Sequence, residues 1–260
     1  MRIVICYIVR LCLILYIGVG AVNAQDSSEP LPKHTTNSIL NANLIDLKLL
    51  SKVGGALFVN SVELSKGIDP VSLYPQIKES VYQVFLVKKN DGPLKTGTRS
   101  TFGSGSAVAL TVDRLITNCH VVSHSNAEIM IKLESGRLIS ALLEAEDVSS
   151  DRCVLLVKDA KLTPVKGIRT IASVFPGERV YSIGYPKGFS GVIGEGLIST
   201  IKQRGARKIF LTSAAIAKGS SGGGLFDRYG NLVAITTAVI DDAPHLGIAI
   251  PAQDFFYETP

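Results

Sequence analysis

From Asp69 onward the chain runs as two successive series of six short β-rich segments, and this pattern limits the fold more than any other feature of the sequence. The first series is Val81 to Lys88, Gly105 to Leu110, Arg114 to Asn118, Glu128 to Leu133, Leu138 to Glu144 and Cys153 to Lys158. The second is Arg179 to Gly184, Gly194 to Ile201, Ile209 to Ser213, Gly222 to Phe226, Leu232 to Ile240 and His245 to Ile250. Turn residues separate the runs, and Thr111-Val112-Asp113-Arg114 and Arg228-Tyr229-Gly230-Asn231 between apolar segments read as antiparallel hairpins. Six and six predicts an all-β protein of two six-stranded antiparallel β-barrels. Helix periodicity is confined to Val71 to Glu79 and the tail after Pro251. With 46% hydrophobic and 19% charged residues the chain can bury a core, which excludes a disordered or collagen-like protein. A formal charge of +5 is too small to imply a polyanionic partner.

The N-terminus has a different character. Residues 1–24 place Arg2 and Arg10 ahead of the apolar run Leu11 to Val22 and end in the small-residue sequence Val22-Asn23-Ala24, which reads as a signal peptide cut after Ala24. The apolar run is too short to span a bilayer, so a membrane contact follows only if the segment stays uncleaved. Residues 25–67 open with a polar stretch rich in Ser, Pro, Thr and Asn and read as a linker or pro-segment, leaving 68–257 as the folded domain. Cys6 and Cys12 leave with the signal, and Cys119 and Cys153 remain in a compartment that permits disulfides.

Three local patterns carry chemistry: Thr117-Asn118-Cys119-His120-Val121-Val122, Asp147-Val148-Ser149-Ser150-Asp151-Arg152-Cys153, and Lys218-Gly219-Ser220-Ser221-Gly222-Gly223-Gly224. They supply an imidazole, a carboxylate and a serine among glycines. A serine hydroxyl becomes a competent nucleophile when an imidazole takes its proton, and the imidazole needs a carboxylate to fix its tautomer. Gly219 permits the tight turn that aims the N–H groups of Gly219 and Ser221 at one developing oxyanion. Asp147 competes with Asp151 for the orienting role, but the apolar run Val154 to Val157 follows Asp151 and favours it.

These patterns resemble the peptidase domain of the HtrA/Deg serine proteases, a chymotrypsin-fold branch of trypsin-like enzymes, over about Asp69 to Phe256. Gly103-Ser104-Gly105-Ser106-Ala107, Val180-Tyr181-Ser182-Ile183-Gly184-Tyr185-Pro186 and Gly247-Ile248-Ala249-Ile250-Pro251 are similar to the family as well. The resemblance implies a secreted or periplasmic serine endopeptidase with its active site between the barrels, His120 as base, Asp151 as orienter, Ser221 as nucleophile, and Gly219 with Ser221 as oxyanion hole. It implies no cofactor and no metal. Protein or peptide substrates are expected, unfolded ones included, and a homo-oligomer, since relatives are often trimers. A catalytically silent peptide-binding or chaperone-like module on the same shell is the alternative. The chain departs from the family pattern at Ser220, Gly224, Arg152 and Cys153, and Arg152 is placed to alter the electrostatics around Asp151. No PDZ module is expected after Pro251.

Substrate preference is read from Ala215-Ile216-Ala217-Lys218, expected to line the primary pocket, and from Thr236, Thr237 and Ala238, expected to pair with substrate backbone. Neither stretch offers a carboxylate, so small or medium aliphatic P1 residues are expected, with Lys218 favouring an acidic neighbour on the substrate. His120 and His124 have i, i+4 spacing, but the glutamate of a zinc helix motif is absent, and His34, His124 and His245 read as surface residues. The run Lys202 to Lys208 lacks interleaved aromatics and reads as a solvated hairpin tip, not a nucleic-acid site. For Cys119 and Cys153, a disulfide and two small buried thiols stand as equal alternatives.

Overall fold

The computed structural model describes residues 58–59, 67–88, 101–124 and 126–256. The expected signal peptide, most of the expected linker, Cys6, Cys12 and His34 lie outside the described residues. The strands are β1 (Phe58–Val59), β2 (Val81–Lys88), β3 (Thr101–Ala109), β4 (Arg114–Thr117), β5 (Ala127–Lys132), β6 (Leu138–Asp147), β7 (Arg152–Leu156), β8 (Ile168–Arg169), β9 (Arg179–Gly184), β10 (Val192–Arg204), β11 (Arg207–Thr212), β12 (Gly224–Asp227), β13 (Leu232–Ile240) and β14 (Ala243–Pro251). Among the described residues two α-helical segments accompany them, α1 (Pro70–Lys78) and the single turn α2 (Cys119–Val122).

The first six-stranded barrel closes in the order β2-β3-β4-β7-β6-β5. In the second, β13-β12-β9-β10-β11-β14 closes through the β13–β14 pairing. All pairs within both rings are antiparallel, matching the sequence expectation. One feature departs from it. Phe58–Val59, inside the segment read as a linker, pairs in parallel with β8, and β8 pairs in parallel with β13, so two short strands extend the second sheet. The Phe58 ring meets Phe256 edge to face at 5.2 Å, which gives these residues an apolar reason to dock.

Burial follows from the strand pattern. On β6, Ile139 and Ala141 point into the barrel while Leu138, Ser140 and Leu142 face solvent, a period of two, and past the register shift between Leu143 and Ala145 the Ala145 side chain joins the core between the barrels. Each barrel has its own apolar interior, around Val84, Ile131 and Leu155 in the first and Ile198, Phe210 and Val233 in the second. A third cluster joins the barrels: Leu73 and Ile77 of α1 pack with Val108, Ile116 and Val154 of the first and Ile183, Phe226 and Ile235 of the second. Helix α1 starts where Asp69 caps the amides of Val71 and Ser72 and Pro70 takes the first helical position. This shared core fixes the two barrels against each other, and with them the two halves of any site built between them. A buried ion cluster pins β8 from within, with Arg169, 2% exposed, 3.1 Å from Glu178 and 3.2 Å from Asp227.

Candidate active site

The His120 segment begins where β4 ends. Asn118 stands in extended conformation at φ −78°, and the chain then turns through α2, which carries His120 at its second position with Val121 and Val122 buried beneath it. The Asp151 segment lies at the entrance to β7. The 3-10 turn Val148–Ser150 ends with Asp151 in the left-handed region at φ 56°, a conformation that costs a non-glycine residue on the order of 1 kcal/mol. The strained backbone presents the carboxylate to α2. Asp151 Oδ2 accepts from His120 Nδ1 at 2.7 Å, and its Oδ1 accepts the His120 backbone N–H at 2.9 Å. A carboxylate can only accept, so Nδ1 carries a proton, and in the neutral imidazole this leaves the lone pair on Nε2.

Asp147 has a different task. Its Oδ2 stands 2.6 Å from Arg152 and 3.0 Å from Arg207, and its Oδ1 caps the 3-10 turn through Ser150 N and Ser149 Oγ. Burial opposes its ionisation, but the hydrogen bonds from Arg152, Ser149, Ser150 and Arg207 prevail and hold its carboxyl well below the usual carboxylate range. Arg152, expected to act on Asp151, turns its guanidinium to Asp147 and to the Asp254 carbonyl instead. Arg207 is likewise engaged, so the basic β10–β11 hairpin is tied to the first barrel on one side.

The Ser221 loop is organised by its carbonyls. Ala217 O accepts from Ser220 N, Lys218 O from Lys187 N, Gly219 O from Ser106 Oγ, Ser220 O from Gly223 N and Thr236 Oγ1, and Ser221 O from Ser106 N. Five consecutive carbonyls are thus engaged elsewhere, and the N–H groups of Gly219 and Ser221 have no acceptor among the described residues. Gly219 sits at φ +96°, where a side chain is strained, and a Cβ there would stand 3.0 Å from the Lys187 amide. The Ser221 hydroxyl is half-buried and donates to the Thr237 carbonyl at 2.9 Å.

Asn118 connects these parts, and no role for it was read from the sequence. Fully buried, it accepts from Gly222 N at 2.8 Å and donates to the Asp151 carbonyl at 3.1 Å and to Thr237 Oγ1 at 3.0 Å. One side chain therefore touches the residue after Ser221, the Asp151 backbone and the strand that holds the Ser221 hydroxyl. A polar residue between Leu115-Ile116 and Val121-Val122 was the available signal. Ser106 was missed for the same reason: its hydroxyl donates to Gly219 O and accepts from Tyr185 N, which locks the loop. Gly105 next to it lets the halves close, since a Cβ there would stand 2.5 Å from Val121 Cγ1 and 3.2 Å from Ser221 O. Cys119 and Cys153 form a disulfide, Cα to Cα 4.9 Å, between the residue before His120 and the second residue after Asp151.

Of the residues expected to meet substrate, Ala215 and Ile216 line a mostly apolar pocket of about 310 Å³ with Val239 and Gly247, Ser213 and His245 are its polar side chains, and no carboxylate lines it. The Ile216 side chain lies directly over Gly247, where a Cβ would be 2.3 Å from its Cδ1. Ala217, Lys218 and Ala238 are exposed and Thr237 is half-buried. Thr236 requires a correction. It is buried, and its amide, carbonyl and hydroxyl all bond inward to residues 220–223, so it supports the Ser221 loop and does not face a substrate. A register shift between Thr236 and Ala238 marks a bulge at Thr237, and from there β13 pairs with β14 on one side only.

A family model for the trypsin-like peptidase domain matches residues 103–235, slightly more than half of the chain. This chain belongs to that family. The trypsin-like chain is 31% identical over 160 residues to the putative serine protease HhoB of Synechocystis sp., covering 58% of this chain and 38% of the relative. It is also 31% identical over 160 residues to the periplasmic serine endoprotease DegP of Escherichia coli, covering 57% of this chain and 33% of DegP. It therefore spans well under half the length of either. Among solved structures, the HtrA-type protease AlgW with a tripeptide superposes with a TM-score of 0.60 at 27% identity, covering 70% of this chain and 59% of the other. The likeness to HtrA and Deg proteins expected from the motifs stands, as does the two-barrel fold of the trypsin-like chain.

Proposed function

We propose that this protein is a serine endopeptidase that cleaves peptide bonds through an acyl-enzyme. The observation that carries the reading is two half-sites among the described residues: an imidazole held by Asp151 through Nδ1, and a serine loop whose Gly219 and Ser221 amides have no acceptor there, with the Ser221 hydroxyl bonded to the Thr237 carbonyl and not to His120. In the proposed cycle the Ser221 hydroxyl leaves the Thr237 carbonyl and attacks the scissile carbonyl as His120 Nε2 takes its proton. His120 then returns that proton to the leaving amine, while Asp151 keeps the ring in its tautomer and stabilises the charged form. The Gly219 and Ser221 amides hold the oxyanion. Water repeats the sequence on the acyl-enzyme. The names of HhoB and DegP, both serine proteases, support this chemistry. A fluorophosphonate tests it without a known substrate. Stoichiometric adduct on Ser221 is expected, and an unlabelled Ser221 in folded protein favours the silent peptide-binding alternative.

The pocket at Ala215, Ile216, Val239 and Gly247 supports a preference for small or medium aliphatic P1 residues, because a lysine or arginine would enter without a counter-charge. Peptides with Val or Ala at P1 are expected to show at least tenfold higher kcat/KM than Lys or Arg peptides, on the scale of a 1.4 kcal/mol difference. The reverse order rejects this pocket assignment. Substrate backbone would add to the open edge of β13 from Thr237 to Val239. A periplasmic or secreted location is supported by the Cys119–Cys153 disulfide, which persists in oxidising compartments, and by the periplasmic name of DegP. Protein or peptide substrates follow from the same chemistry, and AlgW is described with a bound tripeptide.

A further inference from the structure

A second groove, about 490 Å³, reaches Gly219 and shares no lining residue with the pocket at Ala215 and Ile216. Lys187 and Lys218 line it together with Phe85, Gly103 and Ser104, and no carboxylate does. Both lysines are exposed, and neither makes an ion pair among the described residues. Their backbones are held together, Lys187 N donating to Lys218 O at 3.1 Å. Lys187 adopts φ 50° inside the turn Pro186–Gly188, a left-handed conformation unusual for lysine, which the bond to Lys218 helps to hold. The opposite wall is strand β3, which pairs with β2 from Thr101 to Val108 and with β4 only at Val108 and Ala109, so its edge toward the groove is open over 101–104 among the described residues.

We propose that this groove is the leaving-group subsite and that Lys187 and Lys218 select an acidic side chain at the first or second residue after the scissile bond. The inference rests on the endopeptidase reading above. With the scissile carbonyl at the Gly219 and Ser221 amides, and the acyl half of the substrate along β13 with its P1 side chain at Ile216, the rest of the peptide must leave across Gly219 into the groove. There it meets two cations with no counter-charge among the described residues. A carboxylate answers both. The pair therefore predicts about a fivefold to tenfold gain, screened by salt.

The test uses the full chain and internally quenched peptides that share one aliphatic P1 residue and carry Asp, Asn or Lys at the first or second position after it. The expected kcat/KM order is Asp above Asn above Lys, with an Asp to Asn ratio of about five to ten that shrinks in 0.5 M salt and falls to one in the double variant Lys187→Gln, Lys218→Gln. Equal rates for Asp and Asn in the unsubstituted protein, or a ratio that survives the double variant, overturns the inference while the endopeptidase reading stands. If no peptide is turned over, the same peptides are read as competitors of fluorophosphonate labelling at Ser221. Stronger protection by the Asp peptide supports the subsite, and equal protection overturns it. Absence of both turnover and labelling overturns the endopeptidase reading and the subsite with it.

Discussion

Replacing Ser221 with alanine lowers kcat by about a millionfold and leaves the fold intact. The magnitude is that of removing a nucleophile whose base and orienter act only through it, so the remaining rate comes from binding and oxyanion stabilisation alone. The fold survives because the side chain contributes one hydrogen bond, from Oγ to the Thr237 carbonyl, at a cost of about 1 kcal/mol. The backbone bond from Ser106 N to Ser221 O and the engaged carbonyls of residues 217–220 do not depend on the hydroxyl. Turnover of an aliphatic P1 peptide, measured beside a thermal melt, checks both halves. Retained turnover in a variant with an unchanged melting temperature ends the acyl-enzyme mechanism.

Asp151→Asn lowers kcat by about ten-thousandfold, through the imidazole and not through the backbone. Asn tolerates the left-handed conformation that position 151 adopts at φ 56°, so the turn is kept. Its amide can donate to Nδ1, which favours the tautomer with the proton on Nε2 and removes the base. Asp147→Asn is the informative partner variant, because Asp147 faces Arg152 and Arg207 and leaves the imidazole's partner in place. Activity that survives Asp151→Asn but is lost in Asp147→Asn would reverse the two roles. Circular dichroism of each variant separates a catalytic loss from an unfolded chain.

The disulfide, the ion cluster and the buried asparagine show where linear reading stops. Cys119 and Cys153 sit beside His120 and Asp151 in the sequence, which left a bridge and two free thiols equally open until β4 and β7 were seen side by side, Thr117 opposite Cys153. Arg152 reads as a charge next to Asp151, yet residues 151 and 152 point in different directions because Asp151 turns left-handed and Arg152 begins a strand. Thr236 was expected to pair with substrate backbone together with Thr237 and Ala238, but ahead of the bulge at Thr237 its amide, carbonyl and hydroxyl bond to residues 220–223. Asn118 stands out in the sequence only as a polar residue in an apolar stretch, and its role is not legible there because its three partners lie 33 to 119 residues away.

What the chain determines without its fold is whatever is local. Alternating apolar residues and turn chemistry commit each segment to strand, so two series of six were legible, and each short motif carries the side chains its chemistry needs. What the tertiary structure alone decides is which distant groups meet, and in what orientation. The third core between the barrels sets the distance from α2 to the Ser221 loop, Asn118 and Ser106 orient the loop once it arrives, and Lys187 comes beside Lys218 only because two turns 31 residues apart cross at the mouth of the same cleft. These are long-range packing and hydrogen-bond choices. They depend on the mutual placement of closed sheets, which no run of neighbouring residues encodes by itself.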